Sequence, residues 1–213
     1  MWANRARRRL SGESIGGGLT KREWPILIVN LIYISILTVL AVTRLNFEFL
    51  LYVGVIVVLG VWIVLKQSSV RFGQPILWGL TLWGFLHMCG GILRIDGASL
   101  YEFEILSLVP SLHIFRYDQL VHTFGFGIAT LIGAHLLRPH LRSREKPARV
   151  VYVLMLLMGA GMGALNEIVE FVAVLIMPET GVGGYENTML DLCFNLLGGS
   201  LAVLWLARGA ARR

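Results

Sequence analysis

Residues 24–43 read WPILIVNLIYISILTVLAVT, a run without a single charged side chain. A helix of about 20 residues rises about 30 Å, which is the thickness of the hydrocarbon core of a bilayer. The rest of the chain has the same character, since 56% of its residues are hydrophobic and 15% are charged. The stretch therefore predicts a membrane-spanning helix, and the composition predicts several of them.

Further apolar runs of spanning length follow the first. Together they predict six transmembrane helices, at Trp24–Thr43, Phe47–Leu65, Pro75–Ile95, Tyr117–Leu137, Val150–Met177 and Thr188–Ala207. The expected fold is an all-α, polytopic membrane protein with one transmembrane domain over residues 24–207. The helices that carry polar residues lie within residues 75–207.

The basic residues predict the orientation of the chain. Lys and Arg in short loops are retained on the cytoplasmic side, and all of the 19 except Arg44, Arg94 and Arg116 lie at the chain ends or in the second and fourth loops. Both ends are therefore expected in the cytoplasm, as a basic tail over residues 1–23 and a basic end over residues 208–213, with the helices in the membrane. This asymmetry accounts for the net charge of +6, so membrane lipids and not nucleic acid are the expected partners.

Polar side chains interrupt the last four predicted helices. In chain order they are His87, Asp118 with His122, Glu167 with Glu170, and Asp191 with Asn195. The spacings of three and four residues place the members of each pair on one helix face, and the predicted topology places the whole set in the outer half of the membrane. Ionisable residues are costly to insert there and are usually functional.

This set of side chains favours a divalent metal, namely Zn, Mn or Fe. Carboxylates held close together in a poorly solvated site repel one another, and a multivalent cation removes the repulsion. Imidazole with carboxylates is also a ligand mix of Zn, Mn and Fe sites in proteins. The expected ligands are His87, Asp118, His122, Glu167 and Asp191. Glu170 is expected to be a ligand or a general base, and Asn195 to orient a ligand or the substrate. Zn or Mn would favour hydrolysis, and two irons would favour oxygen chemistry.

Each signature also has a structural interpretation. His87 alone could be an interhelical hydrogen-bonding residue, the pair in the fourth helix could be an ion pair at the membrane edge, and the pair in the sixth could cap or cross-link that helix. The acids of the fifth helix are harder to explain in this way, because two carboxylates three residues apart inside a membrane need partners.

Small residues near the acids predict close helix packing. Glycines flank the polar positions of the fifth and sixth helices, at Gly159, Gly161, Gly163, Gly198 and Gly199. They favour close contact between these two helices. The two cysteines, Cys89 and Cys193, are too few for a disulfide framework and are expected to be small buried hydrophobes.

Two outer segments are predicted over the polar cluster. Residues 96–116 alternate apolar and polar side chains around Pro110, which indicates an amphipathic interfacial or re-entrant stretch. It would be either a gate for an amphiphile that enters from the bilayer or a surface anchor. The loop Pro178–Asn187 joins the two acidic helices and would be either a lid or a simple turn.

The motifs resemble a known family of bacterial membrane proteins. They are Tyr117-Asp118-Gln119-Leu120-Val121-His122, Asn166-Glu167-Ile168-Val169-Glu170-Phe171, and Tyr185-Glu186-Asn187-Thr188 leading into Asp191-Leu192-Cys193-Phe194-Asn195 and Gly198. This ordered set resembles the YjdF-type inner-membrane family, and its layout is similar to that of VanZ-like membrane proteins. The resemblance covers about the last 130 residues. It implies an inner-membrane protein of about six helices without assigning a reaction, and the VanZ-like layout implies a link to glycopeptide resistance or the cell envelope.

The leading functional hypothesis is a metal-dependent enzyme, most plausibly a hydrolase, that acts on a lipid or a lipid-linked envelope substrate in an outward-facing pocket. A second hypothesis is a small transporter or lipid-binding protein whose carboxylates bind protons or a cationic head group. A third is an accessory membrane protein in which the polar cluster only fixes helix packing. The oligomeric state is left open.

Overall fold

The computed structural model describes residues 19–141, 149–177 and 180–211. Within these ranges six helices are long and apolar enough to cross a membrane, which confirms the predicted fold class. They are α1 (Trp24–Thr43), α2 (Phe47–Val70), α3 (Gln74–Ile92), α4 (Tyr117–Leu137), α5 (Arg149–Ile176) and α6 (Tyr185–Ala211). Most of the predicted basic tail, the basic residues of 142–148 and the last two residues of the basic end lie outside the described ranges. The orientation stays a prediction.

Local sequence explains several helix ends. Proline occupies the first turn of α1 and of α3, where a missing N–H costs no hydrogen bond. The Asn46 side chain caps α2 by accepting a hydrogen bond from the Phe49 N–H at 3.1 Å. Arg71 closes the same helix in a left-handed conformation, with φ of 55°.

Four helix ends differ from the prediction by three residues or more. The sequence predicts α2 to end at Leu65, where hydropathy falls, but its hydrogen bonding continues until the Arg71 N–H reaches the Gln67 carbonyl at 2.9 Å. The predicted end of α3 at Ile95 is wrong because Leu93 is extended and the strands β1 (Arg94–Ile95) and β2 (Ala98–Ser99) form a hairpin there. The last helix begins at Tyr185, not Thr188, and runs to Ala211 instead of Ala207. Residues 185–187 of the predicted loop are therefore its first turn.

Helix α4 lies at the centre of the bundle. It packs against α3, α5 and α6, and its contact with α6 is the most extensive in the protein, while α1 and α2 pack beside α3. The buried apolar cluster on that side contains Tyr33, Leu37, Ala41, Phe49, Tyr52, Val53, Met88, Cys89, Ile92 and Ala173. Outward faces are apolar as well, since Leu31 is 57% and Val58 is 67% exposed. Exposed apolar faces of this extent are expected where side chains face lipid.

The two cysteines differ in environment. Cys89 is buried in this apolar cluster, as predicted, whereas Cys193 is exposed. Cys193 is exposed because it lies on the face of α6 away from the buried Asn195, two residues further on. The prediction that Cys193 is a buried hydrophobe is therefore wrong.

Glycines allow α4, α5 and α6 to approach closely. A Cβ on Gly163 would collide with the Asn195 side chain, and a Cβ on Gly198 would collide with the backbone carbonyl of Thr123 in α4. A Cβ on Gly161 would meet nothing within 4 Å. The predicted close contact between α5 and α6 is therefore present at Gly163 and at Gly199, which faces Leu156 of α5, whereas Gly198 packs α6 against α4.

Three connections between helices lie at the same end of the bundle, which we call the site end. Arg44, in the α1–α2 connection, donates to the Ile92 carbonyl at the end of α3. The Gly181 N–H, in the α5–α6 connection, donates to Glu48 Oε2 at 2.6 Å. The longest connection, residues 93–116, lies at this end too and lines the same cavity.

Backbone hydrogen bonds fold the second half of that connection back on itself. The Tyr117 N–H donates to the Phe103 carbonyl at 2.9 Å, and the Ile105 N–H to the Phe115 carbonyl at 3.0 Å. Between these bonds lie the exposed apolar side chains of Phe103, Ile105, Leu106, Leu108, Val109 and Leu112. We call residues 103–115 the apolar finger. Its exposed apolar side chains agree with an interfacial stretch, and the choice between gate and anchor stays a prediction.

At the opposite end, one buried amide holds the turn between α2 and α3. Gln67 is 5% exposed; its Nε2 donates to Glu23 Oε1 at 2.6 Å and to the Phe72 carbonyl at 2.9 Å. Its Oε1 accepts a hydrogen bond from the Phe72 N–H at 3.1 Å. Both backbone groups of Phe72 therefore depend on this one side chain.

Replacing Gln67 with leucine should destabilise the protein by about 2–3 kcal/mol, because each buried polar group left without a partner costs about 1–3 kcal/mol. The measurement is the free energy of unfolding in detergent by denaturant titration. Ser68→Ala, at the exposed neighbouring position, is the matched control and should change it by about 0.5 kcal/mol or less. Equal stabilities of the two variants would contradict this account of the turn.

Candidate metal centre

The first turns of α4 bring an acid and an imidazole together. Asp118 and His122 are one turn apart, and His122 Nε2 lies 3.4 Å from Asp118 Oδ1. His122 is buried, with 6% of its surface exposed, whereas Asp118 lies on the wall of a cavity. The spacing of four residues thus produces the predicted contact.

Helix α5 adds two carboxylates from the opposite side. Glu167 Oε1 lies 3.7 Å from His122 Nδ1, and Glu167 is 8% exposed. Glu170 is held by the Asn166 side chain, whose Nδ2 donates to Glu170 Oε1 at 2.7 Å. One ligand atom each of His122, Glu167 and Glu170 can be chosen so that all three lie within 4.8 Å of one another.

Helix α6 completes the cluster with buried side chains. Asn195 Oδ1 lies 2.9 Å from His122 Nδ1, and Asn187 Nδ2 donates to Asp191 Oδ2 at 2.6 Å. Asp191 and Asn195 are each 1% exposed. Atoms of Asp118, His122 and Asp191 form a second group within 4.8 Å of one another. His122 therefore belongs to both groups.

The contact with Asn195 determines how the His122 ring is used. An amide oxygen can only accept a hydrogen bond, so Nδ1 carries the proton and donates to Asn195. Nε2 then has the free lone pair, and it faces Asp118. Metal-binding histidines are commonly held in this way by a hydrogen bond to the second ring nitrogen.

The cluster has more buried acceptors than donors. Among the described residues, three buried carboxylate oxygens of the cluster have no hydrogen-bond donor, namely both of Glu167 and Oδ1 of Asp191, against one buried donor without an acceptor, Asn195 Nδ2. A buried polar atom without a partner is destabilising, and an unpaired charge is far more so. The four carboxylates around His122 thus form a donor-poor, oxygen-rich site, and a cation would satisfy it.

His87 lies outside both of these groups. Its ring stacks on Trp83 with centroids 5.5 Å apart, and its Nδ1 contacts the hydroxyl of Tyr101. That hydroxyl also donates to the His87 carbonyl at 2.9 Å. Burial raises the pKa of Tyr101 well above its ordinary value, so the hydroxyl keeps its single proton. Both contacts are satisfied when the hydroxyl donates to the carbonyl and accepts from Nδ1, which leaves Nε2 as the free nitrogen.

The distances therefore do not bring His87 together with the other expected ligands. It is instead part of the wall of a cavity of about 370 Å³ at the site end. Asp118 and Glu170 line the same cavity, which connects the carboxylate cluster to the connections between helices. Its volume is within the range of about 300–1,000 Å³ that is typical of small-molecule sites.

Two residues of the site were missed in the sequence. Asn166 holds Glu170, and Asn187 holds Asp191, each by a side-chain hydrogen bond across one turn. The signal is the spacing, because both asparagines precede their acid by four residues. An amide at that spacing is suited to orient a carboxylate on the same helix face.

Comparisons with known proteins agree with a membrane protein of undetermined biochemistry. The family model described as "Predicted membrane protein (DUF2238)" matches residues 25–212. An uncharacterized protein of Thermotoga maritima is 35% identical over 86 residues, which are 40% of this chain and 44% of the relative. The chain thus matches less than half the length of that relative. No solved structure shows significant similarity to it.

Proposed function

This chain belongs to the DUF2238 family of predicted membrane proteins, and we propose that it is a metal-dependent enzyme of the bacterial inner membrane. The favoured reaction is hydrolysis of a lipid or lipid-linked envelope substrate in the cavity at the site end. The proposal includes the orientation with both chain ends in the cytoplasm, so that the cavity opens outward. The YjdF-type resemblance is consistent with the family, while no comparison supports the VanZ-like layout, so the choice of substrate rests on the residues.

The observation that carries the proposal is the set of buried carboxylate oxygens without donors. Glu167 and Asp191 present three such oxygens, and His122 is in contact with Glu167. A network built only to fix helix packing would place donors opposite these acceptors, because unsatisfied buried polar atoms weaken a fold. A divalent cation matches the oxygen-rich donor set.

The residues divide into those that would hold the metal and those that would act on the substrate. Asp118, His122 and Asp191 form one ligand group, and His122, Glu167 and Glu170 form the other. A divalent cation there would supply Lewis-acid chemistry. Asn195 fixes the His122 ring through its Oδ1, which is the orienting role expected for it.

Glu170 is placed to act as the general base. Asn166 holds one of its oxygens, and the side chain lines the cavity, where it would take a proton from the attacking water. His87 lines the same cavity, and its unprotonated Nε2 can accept a proton from water or substrate but has none to donate. Hydrolysis needs no co-reactant besides water.

A lipid substrate is favoured by the surroundings of the cavity. The apolar finger extends from the cavity wall at Arg116, and Leu108 in it is 63% exposed. An amphiphile could place its tail against this surface or in the bilayer and its polar head in the cavity. In this proposal the apolar finger is the gate.

The test is the metal content of the protein purified in detergent without chelators. We expect about one or two Zn, Mn or Fe ions per chain, and we expect His122→Ala to lose them because His122 is shared by both ligand groups. Glu104→Gln, which changes a carboxylate outside the cluster, is the matched control and should keep full occupancy. Elemental analysis by mass spectrometry gives these numbers, and a helical circular dichroism spectrum verifies folding.

Full occupancy in His122→Ala would refute the site. Absence of metal from the wild type, even after incubation with each ion, would refute the metal-dependent enzyme and favour proton-coupled binding or transport by the same carboxylates. If, in addition, the variants changed only thermal stability, the accessory role would be the better account.

A further inference from the structure

The cavity has a charge pattern that the metal centre does not explain. On the side of the helices it is lined by Asp118 and Glu170, whereas the connection between α3 and α4 contributes Arg94 and Arg116. Arg94 is exposed at the rim and Arg116 is partly buried, so Arg116 in particular needs a counter-charge, either from the protein or from a ligand. The other two acids of the cavity are Glu48 and Glu102.

Both of these acids are already engaged with other groups. Glu48 accepts hydrogen bonds from the Gly181 N–H at 2.6 Å and from the Tyr52 hydroxyl at 3.4 Å. Glu102 accepts from the Ser99 hydroxyl at 3.2 Å. Among the residues that the structure describes, the ion pairs all involve histidine, so no carboxylate pairs with either arginine.

The two guanidinium groups, in contrast, have donors to spare. Arg116 Nε is buried and has no acceptor within the described part of the chain. The side-chain hydrogen bond of Arg94 is a long one, from Nη1 to the Gly97 carbonyl at 3.4 Å. The rim of the cavity therefore has acidic side chains that are already hydrogen-bonded, one buried guanidinium N–H of Arg116 without an acceptor, and the exposed guanidinium of Arg94 beside it.

We propose that Arg94 and Arg116 bind the phosphoryl group of a phosphorylated lipid, which is the substrate of the proposed enzyme. Guanidinium presents its N–H groups in a planar fork that matches phosphate oxygens. This inference rests on the proposed function, since it names the substrate class of the same cavity. The arginines would hold the phosphoryl group at the rim of the cavity that Asp118 and Glu170 also line.

The shape around Arg116 favours a lipid over a free ion. Arg116 also lines a second cavity of about 500 Å³, together with Leu112, Tyr185 and Leu190. A lipid whose phosphoryl group is held at Arg116 can therefore extend into a space beside the apolar finger that is lined by these apolar side chains and also by Gln119, Glu186 and Asn187. Inorganic phosphate would not fill that space and would not contact those side chains.

The reaction that follows is hydrolysis of a phosphate monoester. The oxygen of water forms a bond to phosphorus, and the bond between phosphorus and the lipid oxygen breaks. Glu170 takes a proton from the water and returns a proton to the lipid oxygen as that oxygen leaves, so the lipid departs as an alcohol. Inorganic phosphate and a neutral lipid alcohol are the products, so the arginines hold the charged part throughout.

The test compares binding of dioctanoyl phosphatidic acid, dioctanoyl glycerol and inorganic phosphate to the detergent-purified full chain by thermophoresis. We expect phosphatidic acid to bind, the uncharged glycerol lipid not to bind, and inorganic phosphate to bind at least tenfold more weakly. Arg116→Gln and Arg94→Gln should each weaken the binding of phosphatidic acid about tenfold or more, because a hydrogen bond to a charged group is lost. Arg44→Gln removes a charge at the same end without changing the cavity wall and should bind as the wild type does.

Metal content measured on the same samples separates this inference from the proposed function. The arginine site is overturned if all three variants bind phosphatidic acid as tightly as the wild type, even if every sample contains metal. It is also overturned if Arg44→Gln weakens binding as much as Arg94→Gln and Arg116→Gln do. Inorganic phosphate as tight as the lipid overturns the lipid as ligand. Arginine-dependent binding in samples without metal supports the site and overturns the metal-dependent enzyme. If Arg116→Gln fails to fold, Arg116→Lys, which keeps the charge, should retain most of the binding.

Discussion

Glu167→Gln should make the metal-free protein more stable and, at the same time, abolish its stabilisation by metal. In the metal-free protein both carboxylate oxygens of Glu167 are buried without a donor among the described residues. The amide has nearly the same shape without the charge, so it relieves repulsion within the four carboxylates. We expect a gain of about 1–3 kcal/mol, the cost of an unsatisfied buried polar group.

When metal is added, the wild type should become more stable, whereas the variant should gain little. An ion present at a hundredfold excess over its dissociation constant stabilises a folded protein by about 2.7 kcal/mol, and the variant should lose most of that increment. Thermal unfolding in detergent, with chelator and with added Zn, Mn or Fe, measures both effects. Glu104→Gln is the control and should behave as the wild type in both conditions. A metal-free Glu167→Gln protein less stable than the metal-free wild type would show that the charge is satisfied in some other way.

Gly198→Leu should prevent formation of the folded bundle, and Gly198→Ala should destabilise it strongly. A Cβ at this position would collide with the backbone carbonyl of Thr123, and a helix backbone cannot rotate away as a side chain can. Extra methylene groups in a packed interior cost about 1–3 kcal/mol, and we expect alanine to reach the upper limit. The alanine variant should also lose metal, because Asn195 and Asp191 move with α6.

Gly161→Ala is the matched control, since this glycine in α5 has open space around it. Alanine is favoured over glycine inside a helix by about 1 kcal/mol, so the control should be neutral or slightly stabilising. Size-exclusion chromatography and unfolding in denaturant measure the difference. Equal stability of Gly198→Ala and Gly161→Ala would mean that α4 and α6 do not touch at Gly198.

The spans could be predicted because the bilayer leaves few choices. Every backbone polar group within hydrocarbon must be satisfied locally, so each long apolar run has to be a helix. The pairs Asp118 with His122 and Glu167 with Glu170 follow from helical periodicity alone, and both pairs converge on one point in the structure. Hydropathy and the spacing of the polar residues were therefore sufficient to predict the spans and these two pairs.

The prediction failed where contacts depend on irregular backbone or on side chains distant in sequence. His87 has the depth expected of a ligand, yet the Tyr101 hydroxyl, in the connection after α3, engages its ring. That contact needs α3 to end at Ile92, and the hairpin that ends it has only the Asp96-Gly97 turn as a signal. The sequence also did not predict that Arg94 and Arg116 line one cavity. The positive-inside rule uses basic residues only to orient the helices, and these two counted only as basic residues on the outer side.

Gln119 links the membrane surface to the carboxylate cluster. It is 1% exposed; its Oε1 accepts hydrogen bonds from the Phe115 and Arg116 N–H groups, and its Nε2 donates to the His113 carbonyl. The base of the apolar finger is thus fastened to the same helical turn that carries Asp118. Movement of the finger would therefore also move the turn that carries Asp118, because the same buried amide is bonded to both.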